Sequence, residues 1–365
     1  MIIMTNITLH MCTTPRHLLS AIAIASQYES EDHHVILFDQ DTNKHLYLAV
    51  VSEYLKQSKL FGFSAIFYKP NKGGIKKWQH RKTIFQQIDS YLIRYKPKKI
   101  LVGNDRRMEF QYIVRHLNNS VEVTYVDEGT ATYVNSLGVN KITEYIDRVF
   151  DAKLKKLVYG AWYSHTSMLG GSRWIDNSIV CFPDLANRAI KKKAIKIFEP
   201  SWFRHKNIKE FLYFYAERLD LDVLKIASIQ TVFILPHPMF LGASDFDRAA
   251  YKCKMQDEIK KGNIVGVKYH PRQCGDPLSL LGMGLIEIPR ELPLELFLPL
   301  MTIKEAWGDV SSAVMSVKWL CPDANVYAEM CGNSKELNFF EGLFAEIGVQ
   351  IIDLENSGGL IDAGK

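Results

Sequence analysis

The sequence predicts an α/β protein built from two doubly wound domains, each with a parallel β-sheet. Short β-branched segments alternate with amphipathic helical segments through most of the chain, which favours parallel strands joined by crossover helices. The alternation fades between residues 140 and 228 and then resumes, which indicates a domain boundary. A length of 365 residues and a hydrophobic content of 47% are sufficient for two cores.

The first series of elements opens with the strand-like NITLHMC and the helix-like PRHLLSAIAIASQY. It continues with the strand-like HHVILF, FSAIFY, KKILVG and VEVTYV, which are separated by helix-like segments. The next stretch mixes turn-forming and aromatic residues in GAWYSHTSMLGGSRW and ends in the helix-like NIKEFLYFYAERL. We therefore place the first domain at residues 1–190 and a connecting segment at 191–228.

The second series occupies residues 229–365. Its strand-like segments are TVFILPHP, NIVGVKYHP, GLIEIP, KEAWGDV, NVYAE and VQIIDL, and its helix-like segments include LPLELFLPLM and SSAVMSVKWL. Ligands of such sheets bind beyond the carboxyl ends of the strands. Functional residues are therefore expected directly after the strand-like segments.

Composition excludes several classes of protein. The net charge of +5 suits an anionic ligand but is too small for a nucleic-acid-binding protein. The six cysteines form no C-x-x-C pair, so we expect reduced thiols rather than a zinc site or a disulfide framework. P-loop, G-x-G-x-x-G and H-E-x-x-H motifs are absent, and no cofactor or essential metal is expected. The chain has neither an apolar run that could span a bilayer nor a signal peptide, which predicts a soluble or peripherally attached protein of the cytosol.

Two adjacent carboxylates, Asp127 and Glu128, follow the strand-like VEVTYV and precede Gly129. Neighbouring side chains of an extended chain point to opposite sides, so one carboxylate can face a ligand while the other binds the backbone. Glycine at this place allows a tight turn. A carboxylate at a strand end can serve as a general base, and an ordinary turn is the alternative interpretation.

The segment VKYHPRQ ends another strand. Lys268 and His270 are two positions apart and project to one face of the strand, and Pro271 ends the strand and keeps His270 extended. A cationic pair suits an anion, and a histidine can protonate a departing oxyanion. The alternative is a histidine that makes only structural hydrogen bonds. A second His-Pro pair, at His237, has apolar neighbours and is interpreted as structural.

Ser311 and Ser312 fall between a strand and a helical pattern. One serine can cap the helix, and the other, together with the free N–H groups of the first turn, can bind a phosphate. Glu295 lies in a helix-like segment after a strand, where a carboxylate could accept two hydrogen bonds from a ribose diol. A surface glutamate is the alternative for Glu295.

Taken in order, these motifs resemble those of the bacterial sialyltransferases: an acidic pair followed by glycine, a His-Pro motif and a serine pair. The sequence is most similar to the lipooligosaccharide sialyltransferases of glycosyltransferase family 52. Their HPRQ and DGT motifs recur here as His270 to Gln273 and as Glu128-Gly129-Thr130. The opening CTTPRHLL resembles the cysteine and proline that follow the first strand of that family, with His17 where glutamine-like residues are more usual.

The resemblance implies a GT-B fold, in which two Rossmann-like domains face each other across a cleft and the second domain binds CMP-sialic acid. It implies three catalytic residues: Glu128 as the general base, Asp127 and His270. The residues implied for CMP binding are Lys268, Pro271, Glu295, Ser311 and Ser312. Some members of family 52 instead place a catalytic aspartate after the first strand of the second domain, so Asp245 and Asp247 are alternative bases.

The implied reaction is inverting transfer of sialic acid from CMP-sialic acid to a terminal galactose of a bacterial surface glycan, a lipooligosaccharide or an O-antigen. A capsule polysialyltransferase that extends sialic acid chains is the alternative enzyme, and a non-catalytic sugar or nucleotide-binding protein is the alternative of another class. We expect a bacterial cytoplasmic protein with peripheral contact at the inner membrane, no nucleic-acid partner, and a homodimer as its candidate assembly.

Overall fold

The computed structural model describes residues 6–40, 45–69, 73–118, 120–135, 141–238, 248–280, 282–329 and 335–352. The chain divides into two compact units, Met1–Arg218 and Leu219–Lys365. Each unit contains one parallel sheet with helices between its strands, as the alternating pattern predicts.

The first unit has a seven-stranded sheet in the order β3-β2-β1-β4-β5-β6-β7. Its strands are β1 (Ile7–Cys12), β2 (Asp32–Gln40), β3 (Phe63–Tyr68), β4 (Lys99–Val102), β5 (Glu122–Val126), β6 (Asn177–Val180) and β7 (Ala194–Ile197). Its helices are α1 (Pro15–Ala25), α2 (His45–Gln57), α3 (Gly74–Tyr95), α4 (Met108–His116), α5 (Lys141–Tyr159) and α6 (Lys206–Arg218). The strand order reverses between β1 and β4, which is where ligands bind in doubly wound folds.

The second unit has a six-stranded sheet in the order β10-β9-β8-β11-β12-β13. Its strands are β8 (Thr231–Ile234), β9 (Val265–Lys268), β10 (Ile286–Ile288), β11 (Glu305–Asp309), β12 (Asn325–Glu329) and β13 (Gln350–Ile352). Its helices are α7 (Val223–Ala227), α8 (Arg248–Lys260), α9 (Ser312–Leu320) and α10 (Lys335–Glu346). The reversal of strand order here lies between β8 and β11.

Each sheet has its own hydrophobic core. In the first unit, Phe110 of α4 packs with Leu9, Ile36, Ile100 and Val123, which lie on four adjacent strands of the sheet. In the second unit, Phe233 and Val267 pack with Tyr251 and Met255 of α8. Helix α1 is buried along nearly its whole length, which holds its first turn at the carboxyl end of the first sheet.

The segment expected to connect the domains, residues 191–228, instead belongs largely to the first unit. Strand β7 pairs with β6, and α6 contacts α1 and α2. β7 is an edge strand with three of its four residues exposed, so it lacks the apolar pattern that marks a buried strand.

Two further elements differ from expectation. Helix α5 lies in the stretch interpreted as irregular, and it exposes apolar residues such as Phe150 and Leu157. The helix-like LPLELFLPLM forms two short 3-10 turns, Leu294–Leu296 and Leu298–Leu300, with Pro293 and Pro299 at their starts. Proline removes a backbone donor and favours such interruptions.

Candidate functional site

The first group of candidate residues lies at the carboxyl ends of β1, β4 and β5. Thr14 caps α1 by accepting a hydrogen bond from the backbone N–H of His17 at 3.2 Å. The cap fixes Arg16 and His17 in the first turn of the helix. Asp127 and Glu128 follow β5 directly, and Gly129 has a φ of 88° that favours glycine.

Asp127 is completely buried and its carboxylate is fully engaged. Oδ1 accepts from the Gly129 N–H at 2.7 Å and from Arg16 at 3.3 Å. Oδ2 accepts from the Cys181 N–H at 3.0 Å and from the Tyr133 hydroxyl. These bonds tie the turn after β5 to the loop after β6, so Asp127 holds the site in place and its carboxylate is not directed to a ligand.

Glu128 has the properties expected of a general base. Its side chain is 18% exposed, and Oε2 is buried without a hydrogen-bond partner among the described residues. Burial raises the pKa of Glu128 to about 7, with the negative charge of Asp105 acting in the same direction and Asn104, Arg106 and Arg16 opposing it. A carboxylate with a pKa near neutrality can accept a proton at physiological pH more effectively than an ordinary glutamate.

The imidazole of His17 lies beside Glu128. The Thr13 N–H donates to His17 Nδ1 at 3.2 Å, so the proton of the neutral ring is on Nε2. Nε2 is buried, has no hydrogen-bond partner among the described residues, and lies 3.9 Å from Glu128 Oε1. Burial, assisted by Arg16, lowers the pKa of His17 to about 3. The contact is therefore not an ion pair, and His17 presents a neutral N–H toward the carboxylate.

Gly103 makes room for this imidazole. It follows β4, and a Cβ atom at this position would lie 2.3 Å from His17 Nε2. In the sequence, His17 stands out only as a departure from a family pattern, and Gly103 does not stand out. A signal was present in the sequence, since the glycine directly follows the strand-like KKILV at the switch between β1 and β4.

The second group lies at the carboxyl ends of β8, β9 and β11, which are neighbours in the second sheet. Lys268 is the last residue of β9 and is only 5% exposed. Its Nζ donates to the carbonyl oxygens of Tyr269 at 3.0 Å and Arg290 at 2.9 Å. Burial lowers the pKa of Lys268 to about 8, although Glu291 and Glu295 counteract it. Lys268 therefore combines a structural role with a charge that is present at neutral pH.

His270 follows β9 and packs against a second histidine. The rings of His270 and His237 meet edge to face with centroids 4.7 Å apart. The Arg272 N–H donates to His270 Nδ1 at 3.1 Å, which leaves Nε2 as the donor of the neutral ring. Partial burial lowers the pKa of His270, and the neighbouring His237, Arg272 and Lys268 lower it further. In the free protein His270 is thus a hydrogen-bond donor rather than an acid, and Pro271 begins the exposed turn after it.

The contact between His237 and His270 was not predicted from the sequence. The apolar neighbours of His237 suggested a structural role, yet this residue follows β8 at the carboxyl edge of the sheet, beside His270. The guanidinium of Arg272 also lies 3.5 Å from His237 Nε2. Since β8 and β9 are paired strands with Ile234 opposite Lys268, residues a few positions beyond each strand are expected to meet.

The serine pair starts α9 as expected. Ser311 is the cap residue and its hydroxyl accepts from the Val314 N–H at 3.5 Å, whereas Ser312 is exposed at the first helical position. Glu295 is 7% exposed and accepts a hydrogen bond from the Ser316 hydroxyl of α9 at 3.0 Å. This bond places the Glu295 carboxylate beside the helix that carries both serines.

Asp245 and Asp247, the alternative bases, lie outside the described residues. Within the described ranges, no three His, Cys, Asp or Glu side chains are grouped as metal ligands. The helices of those ranges include none with the length and apolarity needed to cross a bilayer.

Comparison with known families decides the relationship of the chain. The family model described as alpha-2,8-polysialyltransferase (POLYST) matches residues 8–329. The chain belongs to this family. The match to this bacterial sialyltransferase family runs from β1 to β12 and spans all the candidate residues. The finer resemblance to glycosyltransferase family 52 stays a prediction. No curated protein sequence matches the chain.

Solved structures show the fold of this family member. The alpha/beta-galactoside alpha-2,3-sialyltransferase from a luminous marine bacterium, Photobacterium phosphoreum, is similar with a TM-score of 0.57 and 13% identity, over 95% of this chain and 98% of that chain. UDP-GlcNAc 2-epimerase from Methanocaldococcus jannaschii is similar with a TM-score of 0.52 and 12% identity, over 95% and 89% of the two chains. UDP-GlcNAc 2-epimerase from Neisseria meningitidis gives 0.50 and 11%, over 96% and 89%. These likenesses confirm the predicted GT-B class with two Rossmann-like domains, a fold that serves more than one reaction.

Proposed function

We propose that this family member is an inverting sialyltransferase that moves sialic acid from CMP-sialic acid to a hydroxyl of a sialylated glycan. The observation that carries the proposal is the family match over residues 8–329, together with a partly buried glutamate of raised pKa directly after β5. The family description favours a sialic acid acceptor, which is the acceptor of the alternative enzyme, a polysialyltransferase.

The donor would be held by the second unit. The phosphate would receive positive charge from Lys268 and a ring N–H from His270. The first turn of α9 would add backbone N–H groups and the hydroxyls of Ser311 and Ser312. Glu295, held against α9 by Ser316, would accept hydrogen bonds from the cytidine ribose. As the bond between sialic acid and CMP breaks, these donors would meet the growing negative charge on the phosphate.

The acceptor hydroxyl would be activated by Glu128. The pKa of the acceptor hydroxyl is far above that of a carboxylate, so the proton would transfer late, when the sialyl carbon has become strongly electrophilic. The neutral N–H of His17 would orient the carboxylate without competing for the proton. Attack on the face opposite CMP would invert the configuration of the sialyl carbon.

A galactose-terminated glycan is the second candidate acceptor. It is favoured by the HPRQ and EGT motifs, which resemble those of the lipooligosaccharide enzymes. The acceptor hydroxyl in either case is an ordinary alcohol, so Glu128 would have the same role.

The test is mass spectrometry of products formed from CMP-sialic acid with a lactoside, a sialyllactoside and an oligosialic acid primer. Repeated extension of the two sialylated acceptors is expected, and single capping of the lactoside would support the second candidate. Folded protein that releases no CMP with any acceptor would refute the proposal and favour a non-catalytic binding protein.

Substitution of Glu128 tests whether this residue, rather than Asp245 or Asp247, is the general base. Glu128→Gln should reduce turnover by about 10²- to 10⁴-fold while CMP binding is retained. Glu122→Gln, at the exposed start of the same strand, is the matched control and should keep full activity. Full activity in Glu128→Gln would transfer the role to Asp245 or Asp247.

A further inference from the structure

Helix α5 exposes an apolar stripe. Phe150, Leu154 and Leu157 are 71%, 50% and 85% exposed. Their spacing of four and three residues places them on one face of the helix. Large exposed apolar side chains grouped in this way indicate an interaction surface, whereas single ones are ordinary.

The start of α3 also exposes apolar side chains. Ile75 and Trp78 are 75% and 39% exposed and lie on one face of α3. Arg81 of α3 donates a hydrogen bond to the Tyr159 hydroxyl of α5 at 3.1 Å, so the two helices are in contact. We call the exposed residues of these two segments, 75–82 and 150–158, the α3–α5 surface.

The α3–α5 surface is also basic. Residues 75–82 and 150–158 contain six lysines and Arg81 but only one acidic residue, Asp151. Exposed lysines flank the apolar residues in both segments: Lys76, Lys77, Lys82, Lys153 and Lys156. Lys82 additionally lies over the Trp78 ring at 5.6 Å, so a cation and an aromatic ring share one edge of the surface.

We infer that the α3–α5 surface docks on an anionic phospholipid bilayer. Apolar and aromatic side chains enter the boundary between headgroups and acyl chains, and lysines beside them bind the acidic headgroups. A polyanionic glycan would engage the lysines but would leave Phe150, Leu154 and Leu157 in water. A second copy on this face would bring like charges together, so the bilayer is the occupant that matches both properties.

Co-sedimentation of the full chain with vesicles tests the inference. Binding is expected to vesicles of phosphatidylglycerol and phosphatidylethanolamine, to weaken as salt increases, and to be at least tenfold weaker with phosphatidylcholine alone, since the charge contribution is screened or absent. Because no donor or acceptor is present, the outcome is independent of the proposed reaction.

Matched variants locate the contact. Leu157→Glu should lower the partition coefficient roughly tenfold or more, while Leu224→Glu, at the 80% exposed Leu224 of α7, should leave it unchanged. The pair Lys153→Gln and Lys156→Gln should lower it by roughly fivefold per lysine. The control pair Lys191→Gln and Lys192→Gln, two exposed adjacent lysines outside this surface, should have little effect.

Four outcomes would overturn the inference. The first three are equal binding to neutral and anionic vesicles, equal losses in the test and control variants, and a concentration-dependent dimer that Leu157→Glu dissociates. The third result would assign the α3–α5 surface to a second copy of the chain. The fourth is binding of the oligosialic acid primer that requires Lys153 and Lys156 but not Leu157. That result would assign the α3–α5 surface to a glycan.

Discussion

The Nε2 atom of His17 lies 3.9 Å from Oε1 of Glu128, and burial keeps the imidazole neutral while it raises the pKa of the carboxyl to about 7. The same desolvation thus acts on both groups in opposite directions. It produces a weakly acidic carboxyl beside a fixed, uncharged donor.

This arrangement predicts the pH dependence of turnover. Glu128 must be ionised to accept a proton, so kcat/KM should rise with pH through about 7. Lys268 is proposed to bind phosphate when protonated, so kcat/KM should fall as pH rises through about 8. We expect a bell-shaped profile, measured by CMP release at low donor concentration. A profile that stays flat between pH 5.5 and 7.5, with chemistry rate-limiting, would contradict the role of Glu128.

The His17 donor predicts a difference between two substitutions. His17→Gln can retain an N–H near Glu128, whereas His17→Leu removes it and should raise the pKa of the carboxyl further. The acidic limb of kcat/KM should therefore move to higher pH by about half a unit to one unit in His17→Leu, equivalent to about 1 kcal/mol. Gly103→Ala should shift the limb in the same direction, because its Cβ displaces the imidazole. Identical profiles for the Leu and Gln variants would leave His17 with a packing role alone.

Asp127 should control stability rather than chemistry. In Asp127→Asn, an amide N–H₂ replaces one acceptor oxygen and faces donors such as the Cys181 N–H. Loss of a buried charge partner should destabilise the first unit by about 3 kcal/mol, measured by urea unfolding. Asp184→Asn, at an exposed aspartate of the same unit, should change the free energy of unfolding by less than about 0.5 kcal/mol. Equal stability of the two variants would argue against the anchoring role.

The paired histidines predict a titration that NMR can follow. In the free protein His270 should titrate below 6.5, because burial and the neighbouring cations disfavour its charged form. Binding of CMP should raise this pKa, since a phosphate dianion favours imidazolium. His237→Ala should also raise it in the free protein, because it removes a like charge and exposes the ring. A His270 resonance that does not respond to CMP would separate this residue from the phosphate.

Strong local patterns made much of the fold predictable. Strands such as FSAIFY carry β-branched and aromatic residues between turn formers, and the predicted segment coincides with β3. β6 contains only two apolar residues, after Asn177 and Ser178, and β7 is exposed at the edge of the sheet, so neither supplies such a pattern. Pairing with a neighbouring strand, which is a tertiary interaction, determines both elements.

The candidate site was predictable where residues follow strong strands. Glu128, His270 and Ser311 each lie a few positions beyond a predicted strand. His17 and His237 acquire their neighbours only when the sheet brings distant segments together, since His17 is separated from Glu128 by several elements of the chain. Spacing along the sequence carries no information about those contacts.

Because the Gly103 hydrogen faces the His17 ring, the two positions constrain the order in which they can change during evolution. A side chain at 103 fits without displacing the ring only when residue 17 is smaller, and a chain with a small residue 17 lacks the N–H beside Glu128. A change at either position alone is therefore expected to reduce turnover, so glycine at 103 and the imidazole at 17 depend on each other.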